Sequence, residues 1–450
     1  MHAVVVGGSL AGLCAARALA DHAERVTVID RDRYPDAPAV RKGVPQAHHL
    51  HVLITSGQRA LDRLFPGLVA ELADRGAVPV AAPTDFLYLS ATSWRERFPA
   101  THQLVGASRE LIDWTVRRRL AEDPRVVFRD GSDVIGLGVS VGAGAASGGS
   151  GAVSGVEVRS RESGEIEFLP ASVVVDASGR GSRTPQWLEG LGYGRPAETR
   201  IDSGLGYSSR RFRLPPGTAK GWKTILLMPE IPHTSRGGVL YPIEGDRWMA
   251  TLAGIAGDAP PTDDAGFLEF ARDLRSPVIY DAIRDAEPDS AVHGFRQMAN
   301  HRRHYEEMAR WPDGLAVVGD AACAFNPIYG QGMSVAALHA LLLGEHLRGR
   351  GRLDRTTQAA VARASAPAWA IATGADLRYP TTAGPRRRGD RLSRWYLDRT
   401  TDVANRDAYV CRVLTDVLHL VAPPTALMRP AVLARVMRGR PGPPLTAPPL

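Results

Sequence analysis

Apolar and polar positions alternate along this chain with periods that change from segment to segment. Ala3 to Val6 is a short apolar run that leads directly into Gly7-Gly8-Ser9-Leu10-Ala11-Gly12. Leu13, Ala16 and Ala20 then recur at helical spacing, so the start of the chain predicts strand, tight turn and helix. Arg25 to Ile29 predicts a second strand ending in Asp30. Turns and alternating strands dominate from Pro83 to Val105 and from Thr184 to Val292, as in Val239 to Ile243 and Trp248 to Leu252. These two stretches predict a mixed sheet inserted into a nucleotide-binding domain. Val156 to Val158 and Glu165 to Leu169 alternate as strands, and the Gly/Ala/Ser-rich run from Gly142 to Gly155 predicts a long, disordered hairpin loop, not a second nucleotide motif. Leu315 to Val318 returns as a buried strand. From Ser334 the period is helical, through Leu338, Leu341 and Leu342. Pro367 and the Pro380 to Pro385 stretch predict breaks before a last helical block, Leu392 to Val421. Pro423-Pro424 interrupts it, a short helix from Ala431 to Val436 follows, and the Pro-rich end is expected to fray.

Length and composition narrow this picture. A chain of 450 residues with a hydrophobic share of 44% buries a large core and divides into two or three units. Lys42, Lys220 and Lys223 are the only lysines among 55 basic residues, a bias that reflects base composition and gives most arginines no functional meaning. Residues 376–450 hold thirteen Arg and six Asp with no Lys or Glu, so this tail carries the whole net charge of +7. A solvated helical face accounts for it, and no nucleic-acid partner is expected. Cys14, Cys323 and Cys411 are far apart and form no Cys-x-x-Cys pair, which indicates neither a disulfide framework nor a zinc site. The chain starts on a strand and holds no apolar run of membrane-spanning length, so a cytoplasmic protein without a signal peptide is expected.

Three motifs carry the chemistry. In the first, Gly7 permits the tight turn, Gly12 lets helix and strand pack closely, and the helix start offers N–H groups to a pyrophosphate. Asp30 lies 23 residues after Gly7, where a carboxylate accepts hydrogen bonds from a ribose diol. Ser9 stands where the G-x-G-x-x-G pattern has its second glycine. The second motif is Asp176-Ala177-Ser178-Gly179-Arg180; the third is Gly319-Asp320 with Asn326-Pro327-Ile328-Tyr329-Gly330-Gln331-Gly332-Met333. In this order and spread they suit a chain that wraps one dinucleotide from three sides, and FAD suits them best. His48-His49-x-His51 lacks further Cys or acidic ligands at metal spacing, so no metal is expected.

Together these motifs resemble the single-component FAD-dependent monooxygenases of the p-hydroxybenzoate hydroxylase fold. More narrowly, Arg41-Lys42-Gly43-Val44-Pro45-Gln46 with His49 and His51, Asp176 through Ser182, and Gly319 through Met333 are similar to the bacterial epoxidases of polyether biosynthesis, relatives of squalene epoxidase. Ser108-Arg109-Glu110-Leu111-Ile112-Asp113-Trp114 has the matching spacing, and similarity extends over nearly the whole chain. The resemblance implies an α/β fold: a Rossmann-like FAD-binding domain (1–82, 107–183, 293–360), an inserted mixed β-sheet substrate domain (83–106, 184–292) and a C-terminal helical region (361–450).

It also implies a set of contacts. Gly7, Ser9, Leu10, Ala11, Gly12, Asp176 and Gly179 belong to the cofactor-binding motifs. Asp30 and Arg31 hold the adenosine end, with the Val134 backbone at adenine. Arg41 and Arg109 lie along the pyrophosphate and ribityl chain, where Asp320 also bonds. Pro327 and Gly330 to Met333, including Gly332, open a helix towards the pyrimidine side of the flavin. Pro45, Gln46 and His49 shape the junction of flavin and substrate. The hydroxylases carry Asp-Gly where this chain has Asp176-Ala177, so no nicotinamide contact is transferred to that motif. The implied activity is epoxidation of a lipophilic polyene or terpenoid in secondary metabolism such as antibiotic biosynthesis, using O2 and a transient NAD(P)H through a C4a-hydroperoxyflavin. Aromatic hydroxylation, a prenyl reductase and a non-catalytic flavin module remain the alternatives. The Trp-x-Trp-x-Ile-Pro stretch expected of a flavin halogenase is missing. A lipophilic small molecule and O2 are the expected partners, with at most peripheral membrane contact and a monomeric or homodimeric state.

Overall fold

The structure is a computed structural model that describes residues 1–140, 151–219, 221–296, 299–385, 391–439 and 443–450. Its first layer is a five-stranded parallel sheet in the order Leu315–Val317, Val173–Asp176, His2–Val6, Arg25–Ile29, Val126–Arg129. The runs Val4-Val5-Val6 and Val173-Val174-Val175 are buried, as parallel strands covered on both faces require. The helices Leu10–Ala20, Arg109–Ala121 and Gly332–Arg350 pack in the same apolar core as these strands. An antiparallel sheet of Ser132–Ser140, Ala152–Ser160 and Ile166–Pro170 contributes Val153, Val156 and Val158 to that core. The hairpin expected around Gly142 to Gly155 is therefore present; residues 141–150, with the disorder expected there, lie outside the described residues.

The inserted sheet has seven strands. Phe86–Leu89 runs parallel to Thr224–Leu227, followed by Arg236–Ile243, Arg247–Gly254 and Gly206–Arg213; Glu287–Pro288 and His293–Phe295 both pair with the last of these. Period-two alternation gives the sheet two faces. One packs Leu87, Ile225, Leu227, Leu240, Leu252 and Phe212 on the helices Asp264–Arg272 and Val278–Ile283. On the other face Tyr88, Leu226, Val239, Thr251, Ser209 and His293 stand opposite one another in a row across six strands. All but Ser209 are only partly buried.

Two boundaries differ from the sequence pattern. Pro367 does not break a helix: it lies inside the continuous helix Arg355–Asp376. Tertiary anchors outweigh the lost backbone bond, with Gln358 bonding both the N–H and the carbonyl of Val317 at 3.0 and 3.1 Å. The last helical block divides into Arg391–Ala404 and Ala408–Leu418. Asn405, between them, is buried and donates to Ser90, Thr92 and Ser93, which fixes the turn, and Asp407 caps the second helix. A short helix follows at Pro430–Arg438. Among the described residues no helix is long and apolar enough to cross a membrane.

Candidate functional site

The three motifs follow three neighbouring parallel strands, so all of them end on one crest of the sheet. The first follows His2–Val6, the second Val173–Asp176 and the third Leu315–Val317. Their backbones nearly touch. Gly7 has φ +96°, and a Cβ there would lie 2.7 Å from the Ala177 carbonyl oxygen. A Cβ on Gly12 would lie 1.7 Å from the Gly7 oxygen, and one on Gly319 2.9 Å from the Ala11 Cβ. Small residues at these places are what lets the motifs meet. Arg180 then ties the second motif to the third, lying 3.6 Å from Asp320 and donating to the Phe325 carbonyl at 2.6 Å.

Both helices that start here leave their first turns open. Ser9 precedes the helix Leu10–Ala20 without capping it, Gln331 precedes Gly332–Arg350 likewise, and neither helix has an acidic residue in its first turn. The N–H groups of Leu10, Ala11, Gly332 and Met333 belong to these turns, and a Cβ on Gly332 would meet nothing within 4 Å. Such helix starts are anion sites. Basic groups flank the first. Arg109 donates to Ser9 Oγ at 2.9 Å and pairs with Asp113 at 2.8 Å, so the serine in place of the second glycine is fastened by an arginine. Arg41 is nearly buried, donates to the Gly8 carbonyl at 3.1 Å and lies 3.3 Å from Asp30 and 3.5 Å from Asp32. Its Nη1 is the atom paired with both carboxylates, while the buried Tyr34 hydroxyl, which faces Gly8, makes no hydrogen bond.

The remaining expected contacts are distributed as follows. Asp30 ends its strand and accepts from the Gly8 N–H at 2.7 Å and the Asp32 N–H at 2.8 Å. Ser132 donates to the Asp30 carbonyl, which brings the segment carrying half-buried Val134 to the same end. Arg31 is exposed. The Asp176 carboxylate is fully buried and taken up by Ser178, Ser182 and Thr184, so it shapes the turn holding Gly179 and offers no free acceptor. Pro327 is exposed in the turn Pro327–Tyr329, which Gly330 closes with φ +63°.

Pro45 and Gln46 open the turn Pro45–His48 below Arg41; Pro45 is exposed and Gln46 half-buried. His48 stacks on His293, with ring centroids 3.8 Å apart. His49 is buried against Tyr207 and Phe295, and its Nδ1 lies 2.9 Å from Ser209 Oγ. Burial pushes the His49 imidazole down to about 3, with repulsion from His51, His48 and His293 adding. Burial and nearby Arg109 lower His51 to about 3 as well. Neither ring is charged at neutral pH. Among the described residues, His304, Glu306 and Glu307 have side chains close enough to share a cation.

Several site residues have no sequence signature. Asn300 and Asp376 form a buried polar knot with Asn326 of the third motif: both amides donate to Asp376, at 2.7 and 2.9 Å, and Asn300 accepts from the Asn326 N–H at 2.7 Å. Burial raises the Asp376 carboxyl, and the two amides oppose the rise. Tyr34, Ser209 and Thr251 are equally unmarked in the sequence. On the inserted sheet, alternation divides the apolar residues between its faces: Leu226 and Met228 are partly exposed, while Leu227 and Leu240 are core.

This arrangement defines an α/β protein with a dinucleotide-type crest facing the inner face of an inserted sheet. The fold is that of flavin-dependent monooxygenases and halogenases. A flavoprotein/dehydrogenase from Cytophaga hutchinsonii has a TM-score of 0.68 at 13% identity, over 96% of each chain. The p-nitrophenol 4-monooxygenase PnpA from Pseudomonas putida has 0.64 at 16% identity, covering 93% of this chain and 98% of its own. The flavin-dependent brominase Bmp2, as a triple mutant, has 0.65 at 16% identity over 97% and 99%. Protein Rv3254 of Mycobacterium tuberculosis is 34% identical over 423 residues, 88% of this chain and 83% of that protein, and the chain belongs to its family. No protein-family model matches the chain.

Proposed function

We propose that this protein binds FAD along the crest and, with NAD(P)H and O2, inserts one oxygen atom into a lipophilic alkene, forming an epoxide. The convergence of three motifs at adjacent strand ends, with two uncapped helix starts beside two arginines, carries this reading. The fold shared with a p-nitrophenol monooxygenase and a flavin-dependent brominase supports it.

The donor set suits the cofactor. The Leu10 and Ala11 N–H groups would hold a pyrophosphate beside Arg41, where the Tyr34 hydroxyl would gain a partner. Asp30, with Val134 alongside, would hold the adenosine ribose, and Asp320 the ribityl chain. Gly332 and Met333 present N–H groups and a helix dipole to negative charge at the pyrimidine edge, stabilising it by ~0.3–2 kcal/mol. When bound and reduced, FAD supplies the activation of dioxygen, and the protein supplies placement. Tyr88, Leu226, Met228 and Val239 give an apolar floor that excludes water and holds an alkene.

Aromatic hydroxylation calls for a base that deprotonates a phenol near neutral pH. His49, buried against Tyr207 and Phe295 at the far end of the same sheet, is held down to about 3 and is too weak for that task, which favours the alkene. The test is product analysis of the FAD-loaded protein with NAD(P)H, O2 and a panel of terpenoid and polyketide alkenes. A product heavier by one oxygen that has lost one alkene signal is expected. A phenolic product, or reduction of the alkene without oxygen uptake, overturns the epoxidase assignment.

A further inference from the structure

A cleft of about 320 Å3 opens between the C-terminal helices and the edge of the inserted sheet, and none of its lining residues belongs to the three motifs. Its volume is that of a small-molecule site. One wall carries Pro83 and Phe98, from the segments on either side of the strand Phe86–Leu89; the other is the first half of the helix Ala408–Leu418. Thr84 donates to the Phe98 carbonyl at 2.8 Å and ties the two segments of the first wall together. Phe98 also packs on the apolar cluster of the C-terminal helices. Buried Cys411 forms the inner end. Arg95 lies 4.2 Å over the Tyr88 ring and donates to Asn405 at 3.3 Å, so the sheet edge and the start of this helix are pinned to each other. The cleft is therefore held open by contacts on both of its walls.

Arg412 is the one charged residue among those that line the cleft, and it stands exposed at the rim. Its guanidinium rests on the Tyr409 ring, 5.3 Å from the centroid, and makes no ion pair or hydrogen bond among the described residues. Asp416, four residues on, is where a helix places the carboxylate that would answer it, but Asp416 lies 3.1 Å from His102 Nε2 instead. Arg435 lies on the same tyrosine ring at 4.7 Å and is paired with Asp407 at 3.3 Å. Of the two cations on Tyr409, only Arg412 is left without a carboxylate. Thr101, also in the lining, has its hydroxyl 2.9 Å from His102 Nδ1 and so adds little to the mouth.

We propose that this cleft is a binding site for an amphipathic carboxylate, with the acid on Arg412 and the hydrocarbon chain between Phe98 and Cys411. A guanidinium gives a carboxylate two parallel charge-assisted hydrogen bonds, and the chain gains by leaving water against the apolar walls. An alcohol of the same length forgoes the charge, and an amine is repelled by it. The site is independent of the flavin chemistry, because it shares no residue with the crest.

Titration calorimetry of the whole protein with decanoate, decanol and decylamine tests the site, with and without excess FAD. Decanoate should bind about fivefold or more tightly than decanol, with decylamine weaker still, and FAD should leave its affinity unchanged. Each methylene removed, as in nonanoate and octanoate, should weaken binding by up to about fourfold. Arg412→Gln alters an exposed side chain; it should keep the parent melting temperature, lower decanoate affinity about fivefold or more and leave decanol as it was. Ala408→Trp, at another exposed position, should fill the cleft and abolish binding of both. No binding of decanoate, or equal affinity for decanoate and decanol, overturns the proposal, as does an unchanged decanoate affinity in Arg412→Gln. Displacement of decanoate by FAD would place the acid on the crest, and binding retained in Ala408→Trp would place it elsewhere; either outcome removes the site.

Discussion

Gly12 and Gly332 are both glycines at the crest, and their surroundings predict opposite defects. A Cβ on Gly12 would sit 1.7 Å from the Gly7 carbonyl, and no rotamer relieves a clash with backbone. Gly12→Ala is expected to force helix and strand apart, costing ~1–3 kcal/mol, and to lower both melting temperature and FAD affinity. Gly332 starts a helix and faces open space. Gly332→Ala should melt no lower than the parent protein, since alanine suits a helix better than glycine. Its Cβ would enter the space assigned to the flavin ring and weaken FAD by about tenfold or more, which corresponds to ~1.4 kcal/mol. Thermal melting and flavin fluorescence titration of both variants distinguish the two cases. Equal loss of stability in both would mean that Gly332 is part of the packing and not of a binding surface.

At the scale of elements, the third motif depends on a knot of which it contains only Asn326. Asp376 accepts from the side chains of Asn300 and Asn326, and Asn326 in turn accepts from the Ile328 N–H at 3.0 Å. Asp376→Ala leaves two buried amides without their acceptor, at about 1–3 kcal/mol for each unsatisfied group. Because that loss falls on the loop before Gly332–Arg350, FAD affinity should drop together with melting temperature; a stable variant with unchanged affinity would separate the knot from the site. Asp376 also marks the limit of what the sequence discloses. From Ala3 to Asp30 the signals are local: β-branched run, glycine turn, helical period and terminal acid follow within 30 residues, and strand, turn and helix are where those signals put them. Asn300, Asn326 and Asp376 are up to 76 residues apart, and their meeting follows only from how the last long helix packs. Ser209 and Thr251 likewise pair through strand register, which alternation alone leaves undetermined. Pro367 shows the converse, a strong local signal overridden by the tertiary anchoring of Gln358.

Across the whole molecule, the crest joins parts of the chain that are distant in sequence. Arg41 and Arg109 converge on Gly8 and Ser9, Arg180 bridges to Asp320, and Gly319 touches Ala11. A ligand that engages the whole crest therefore bonds to several strands and helices of the core at once and binds only when all of them are folded. Such a ligand raises stability by mass action, by about 2.7 kcal/mol at one hundred times its dissociation constant. On the proposed reading FAD would reach from Asp30 to Gly332, whereas FMN lacks the adenosine half and would leave Asp30 and the Leu10–Ala20 helix start less fully engaged. FAD should accordingly raise the melting temperature of the cofactor-free protein by several degrees in a concentration-dependent way, with FMN giving a clearly smaller shift and ADP a partial one. Equal shifts from FMN and FAD would place the binding energy at the flavin end alone and remove the first motif from the site. No shift from any of the three would mean that the crest is a packing arrangement without a ligand.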